Sequence, residues 1–117
     1  MKDFTNTDSC PVRNVLDRLS DKWTTLVLLL LGEQGTLRFN ELHKHIGDVS
    51  EKMLTVSLRK LEADGLISRK VHPVIPPKVE YRLTDLGKGF LPLIHSISDW
   101  AYAHMYQILA SRRQYKA

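Results

Sequence analysis

The sequence predicts one mainly α-helical domain with a small antiparallel sheet, an α+β class. Three observations carry that expectation. Apolar residues recur at helical spacing through most of the chain. The segment Lys78 to Leu83 (KVEYRL) alternates at the strand period instead. Three prolines, Pro73, Pro76 and Pro77, interrupt the chain before it, where neither helix nor central strand can continue. A length of 117 residues suits a single domain with a real core.

Taken in order, residues 1–9 (MKDFTNTDS) are polar and read as a flexible arm without a signal peptide. Pro11 fits the first position of a helix, where a missing N–H costs nothing. Val12, Val15, Leu16 and Leu19 then space out a helix over 11–19. Ser20 or Asp21 caps a second helix through about Leu31. Its stretch WTTLVLLLL is apolar nearly all round, which places it at the centre of the core. Gly32 and Gly35 are expected to end it. The run Leu26 to Leu31 is far too short to span a bilayer.

Thr36 and Leu37 leave room for only a short strand. Phe39, Leu42 and Ile46 mark a helix over 38–46, and Gly47-Asp48-Val49 is a tight turn. The stretch Ser50 to Gly65 (SEKMLTVSLRKLEADG) is the organising element. Ser50 is a good N-cap and Gly65 a good left-handed stop. Leu54, Leu58 and Leu61 form its buried seam, while Lys52, Val56, Arg59, Lys60 and Ala63 lie opposite, with Thr55 on the flank. Leu66 to His72 and Lys78 to Leu83 then make a hairpin with a proline-braced tip. Thr84 caps a last helix over 85–111, striped by Phe90, Leu93, Ile94, Ile97, Ala101 and Met105.

Two helices joined by a short glycine-containing turn form a helix-turn-helix. The hairpin after them, with the short strand as third member, makes it a winged helix-turn-helix. A charged outer face is ordinarily just solvated, but the position of 50–65 as second helix of the motif points to the major groove of double-stranded DNA. Arg59 suits guanine edges, and Thr55 a base edge or a thymine methyl. Val56 lies beside them. Arg38, Ser50 and Lys52 suit phosphate or backbone contacts. The hairpin adds Arg69, Lys70, Lys78 and Arg82 against Glu80 alone, so most of the chain's formal charge of +4 sits in one short segment.

Several blocks together are specific: Cys10-Pro11-Val12, Asp21-Lys22-Trp23-Thr24, Arg38-Phe39-Asn40-Glu41-Leu42, Ser50 to Thr55, Leu58 to Ile67, Pro76 to Tyr81 and Leu83-Thr84-Asp85-Leu86-Gly87. Over about 10–101 the chain resembles the HxlR-type transcriptional regulators. The resemblance implies a dimeric bacterial winged-helix regulator, with wings reaching the minor groove or flanking backbone and terminal helices forming the dimer. It also implies, from some members, that Cys10 senses quinones, aldehydes or oxidants. One departure is Asp21, where many relatives carry Gly; it reads as an alternative helix cap.

The residues themselves support the same sites. Cys10 precedes a helix start, whose positive end favours a thiolate. The bland alternative is a small, partly buried residue with no sensing role. As the sole cysteine it excludes an intramolecular disulfide framework and fits a reducing cytoplasm. Helices 11–19 and 85–111 are the expected dimer surface, through Phe90, Ile94, Ile97, Ala101 and Met105, so residues 10–117 act as one DNA-binding and dimerising unit on a pseudo-palindromic operator. His43 and His45 point to different sides of a helix, so no metal is expected. No cofactor and no catalytic group is expected either, since Cys10 has no general base placed beside it by any motif. A small-molecule effector would sit between core and dimer helices, near Trp100 and Tyr102. The lead expectation is a cytoplasmic transcriptional regulator, by default a repressor. A winged-helix protein-interaction module is the alternative, and a steep salt dependence of duplex binding separates the two.

Overall fold

The computed structural model describes residues 10–116, so the expected arm at 1–9 lies outside the described residues. The elements run α1 (Pro11–Ser20), α2 (Lys22–Gln34), β1 (Leu37–Arg38), α3 (Phe39–Ile46), α4 (Glu51–Ala63), β2 (Ile67–His72), β3 (Lys78–Leu83) and α5 (Asp85–Gln114). The three strands form one antiparallel sheet in the order β1-β3-β2, with Leu37 opposite Tyr81 and Ile67 opposite Leu83. The helical motif and its wing are therefore arranged as expected.

The core forms around α2. Val27, Leu28 and Leu31 from α2 meet Leu42 of α3, Leu54, Leu58 and Leu61 of α4, Ile67, Tyr81 and Leu83 of the sheet, and Ile94 of α5. Asp21 starts α2 as its cap, accepting from the N–H groups of Trp23 at 3.0 Å and Thr24 at 3.4 Å. Thr24 is fully buried and donates its hydroxyl to the carbonyls of Arg18 and Asp21, which fixes the corner between α1 and α2. The helix does not stop at Gly32. Leu91 of α5 lies against that glycine, so close that a Cβ there would sit 2.6 Å from Leu91 Cδ1. Gly32 is thus a packing residue, and Gly35, with φ of 88°, makes the turn. Nor is α2 buried all round: Leu26 is exposed.

The end of α4 is closed in the Schellman manner, with Leu66 N–H donating to Leu61 O and Gly65 N–H to Glu62 O, both at 3.0 Å, and Gly65 at φ of 76°. Thr84 then fastens α5 to this corner. Its N–H donates to Leu66 O at 3.1 Å and its hydroxyl to Gly65 O at 2.5 Å, while Oγ1 accepts from Gly87 N–H. Gly87 completes the seat, because a Cβ there would lie 2.1 Å from Leu66 O. From this seat α5 runs 30 residues, through Pro92, well past the body of the domain. No helix among the described residues is long and apolar enough to cross a membrane.

Candidate nucleic-acid interface

The turn between α3 and α4 is held from inside by Val49, which is buried. Ser50 caps α4 by accepting from Met53 N–H at 3.1 Å. Its oxygen serves the helix, and its hydroxyl proton is the part left to donate to a phosphate. The buried seam Leu54, Leu58 and Leu61 turns the rest of α4 outward. Lys52 and Arg59 are exposed, and Thr55 and Val56 are half-buried between them. The Thr55 hydroxyl donates to Glu51 O at 2.8 Å. Thr55 therefore presents its methyl group and acceptor lone pairs, which narrows its expected role towards the thymine methyl.

Two ion pairs remove charges from that face. Lys60 Nζ lies 3.6 Å from Asp21 Oδ2, so Lys60 ties α4 to the start of α2. Arg18 of α1 grips Asp64 at the end of α4, donating through Nε and, at 3.2 Å, through Nη2. The hydrogen bond to Asp64 holds the Arg18 guanidinium above its ordinary pKa.

The wing divides its charges over two faces. Strand alternation puts Ile67, Arg69 and Val71 on the side of Leu83, Tyr81 and Val79, and Ser68, Lys70 and His72 on the side of Arg82, Glu80 and Lys78. Arg69 thus joins Thr55, Leu58, Arg59, Glu62 and Tyr81 around a cleft of about 390 Å³ between the hairpin and α4. Arg38 stands opposite Glu80, and so shares the other face with Lys70 and Lys78. Glu80 sits at the centre of that second face, hydrogen-bonded to His72 and 3.8 Å from Lys78 Nζ. Loss of solvation opposes its charge, but the bond from His72 and the positive charges of Lys78, His72 and Arg38 outweigh this and hold its carboxyl below the usual carboxylate range. Glu62 lines the same cleft with the two arginines.

Cys10 is buried at the N-cap of α1, and its carbonyl accepts from Asn14 N–H and Nδ2. Among the expected dimer residues, Ile94 is 1% exposed inside its own core, so it is not free to meet a second copy, and Phe90 is half-buried against that core. The reason is that α5 carries two apolar stripes, and its first half uses one of them for the domain itself. Ile97 is 51% exposed, with Ala101 and Met105 half-buried beyond it. The outward stripe also includes Leu93 and Trp100, whose indole stacks on His104 with ring centroids 4.4 Å apart. By period alone, Leu93 falls in one stripe with Phe90 and Ile94, because both stripes share the same period. On α1 the apolar residues Val12, Val15 and Leu16 are all exposed. No group of three or more metal-ligating side chains occurs among the described residues.

Known proteins carry the same arrangement. Residues 18–108 match the family model described as HxlR-like helix-turn-helix. The HTH-type transcriptional regulator YtfH of Escherichia coli (strain K12), itself uncharacterised, is 44% identical over 105 residues, covering 90% of this chain and 82% of that protein. The solved structure of ytfH from Salmonella typhimurium superposes with a TM-score of 0.82 at 42% identity, covering 92% of this chain and 96% of that one. The redox regulator HypR in its oxidised form superposes with a TM-score of 0.74 at 37% identity, covering 80% and 96%. These relatives are regulators of transcription rather than enzymes, and the chain belongs to the HxlR-like family of winged helix-turn-helix, DNA-binding transcriptional regulators.

Proposed function

We propose that the protein works as a cytoplasmic homodimeric repressor on a pseudo-palindromic operator. In this reading residues 10–117 form one unit, with α4 reading the major groove and α1 and α5 pairing the copies. One observation carries it. The open side of α4 is polar and shares a cleft with the wing's Arg69, while the open sides of α1 and α5 are apolar. Arg59 and Arg69 meet base edges, Thr55 and Val56 shape the contact, and Ser50, Lys52, Arg38, Lys70 and Lys78 hold phosphates. Ile97, Ala101 and Met105, with Leu93 and Trp100, face the partner copy. Selection of duplexes from a random pool, followed by titration against salt, tests this. Two related half-sites and a steep salt dependence are expected; salt-independent binding overturns it in favour of a protein-interaction module.

Cys10 is the thiol through which this regulator responds to oxidants or electrophiles. The likeness to a redox regulator and the seat of Cys10 at the start of α1, within the pairing surface, support this. Cys10 is also the chain's only cysteine, so any thiol response runs through it. Oxidant is titrated with duplex binding as readout. Wild type is expected to lose binding and Cys10→Ser to keep it; equal responses sink the idea.

A further inference from the structure

We infer that the cleft between α1, the end of α4 and the start of α5 binds a small organic cation, an apolar body bearing one protonated amine. The cleft is open to solvent and has a volume of about 560 Å³, suited to a small organic molecule. Its apolar walls are Val15 of α1, Leu66, and Leu86 and Phe90 of α5; its charged groups are Arg18, Asp64 and Asp85. Arg18 and Asp64 neutralise one another. The Asp85 carboxylate, in the first turn of α5, is left as the net charge of the lining side chains. Apolar walls with one unmatched carboxylate select an apolar cation over its neutral or anionic counterparts.

Gly89 supports this independently. Three glycines of the chain take a positive φ, and at Gly32 and Gly87 a Cβ would collide with a neighbour. Gly89 has neither reason. It lies inside α5 with no left-handed φ, and a Cβ built on it meets nothing within 4 Å. Glycine weakens a helix relative to alanine, and no contact within the described chain asks for it here. It lines the cleft, where bare backbone leaves room for a ligand.

The site is also placed to matter. Asp64 is the C-cap of α4, and the Arg18–Asp64 pair spans from α1 to it. A ligand seated beside that pair spreads α1 from α4 and lowers affinity for DNA. This consequence rests on the DNA-reading role proposed for α4; the binding does not.

The probe is 4-phenylbutylamine, with 4-phenylbutanol and 4-phenylbutyrate as its neutral and anionic counterparts, titrated calorimetrically into the full chain without DNA. The amine is expected to bind once per chain, the alcohol about tenfold more weakly, and the acid not at all. Gly89→Leu fills the cleft and abolishes binding while melting no lower than wild type, since leucine is the better helix former. Asp85→Asn binds amine and alcohol alike. In wild type the amine weakens binding to a selected duplex. No amine binding by wild type, equal binding of amine and acid, or undiminished binding to Gly89→Leu overturns the inference. So does a monomeric Gly89→Leu beside a wild type that ignores the amine, which assigns the cleft to a second copy. If the amine binds as expected but no duplex is selected, the DNA-reading assignment fails and the site stands.

Discussion

Helices α4 and α5 both bury one face against α2, and they differ in what they leave open. The open face of α4 is charged and hydroxyl-bearing, with Lys52, Thr55 and Arg59 on it. The open face of α5 carries Leu93, Ile97 and Trp100. A polar face at rest in water loses little by staying there, so it waits for a polar partner whose geometry it matches. An apolar face gains by being covered at any time, so it implies a standing partner. Under the proposed function, the same chain carries a reversible contact on one helix and a permanent one on the other.

Swapping the character of the faces is the most direct way to break this contrast. Leu93→Asp with Ile97→Asp is expected to give a folded monomer whose operator affinity is about 10²–10⁴-fold lower, because the second half-site no longer binds intramolecularly. Sedimentation and duplex titration measure the two effects; a dimer of unchanged affinity refutes the assignment of α5. Truncating the buried faces does the opposite. Leu54→Ala and Ile94→Ala are each expected to cost about 2–5 kcal/mol of stability in denaturant unfolding. Ile94→Ala should leave a dimer intact wherever the chain still folds, and dissociation of a folded variant would place Ile94 at the pairing surface after all.

The open face of α4 calls for finer tests. Arg59→Ala is expected to relax preference at one base position per half-site, at a cost of about 1–3 kcal/mol, whereas Lys78→Ala weakens all sequences alike. Uniform loss from both would dissolve the division between base reader and phosphate clamp. On the buried side of α4, Ser57 is 1% exposed and its hydroxyl has no hydrogen-bond partner among the described residues. Ser57→Ala is expected to stabilise the fold by about 1 kcal/mol, and a destabilised variant would show that the hydroxyl is satisfied. The smallest effect belongs to the wing. The lowered pKa of Glu80 means that its pairing with His72 and Lys78 is complete above the ordinary carboxylate range and lost as pH falls through its depressed value. Amide exchange at Val71 and Val79 should quicken over that acid range in wild type and be insensitive to it in Glu80→Gln.

How much of this was legible in the sequence follows from how local each feature is. The cap at Ser50, the stop at Gly65 and the leucine seam lie within one helix, and the structure has all three. The division of the wing was written in adjacent letters: Arg69 and Lys70 are neighbours in a strand and must face opposite ways. Composition counting hides that, and register reveals it. Gly32 was misread as a stop because its role depends on Leu91, distant in sequence. Likewise Arg18 and Asp64 are 46 residues apart, and no spacing rule joins them. In α5 two stripes share one period, and only the position of the core decides which is inner.

The seat of α5 has a mechanical consequence. A helix of 30 residues is about 45 Å long, and its direction is set where Gly87 meets the Leu66 carbonyl and Thr84 bonds to Gly65. A tilt of about 5° there moves the far end by about 4 Å, close to the ~3.4 Å spacing of successive nucleotides along a DNA strand. In a dimer joined through α5, the permitted distance between half-sites is then an angular tolerance, held by the Gly87 and Thr84 contacts at the seat and by Leu91 and Ile94 against the core.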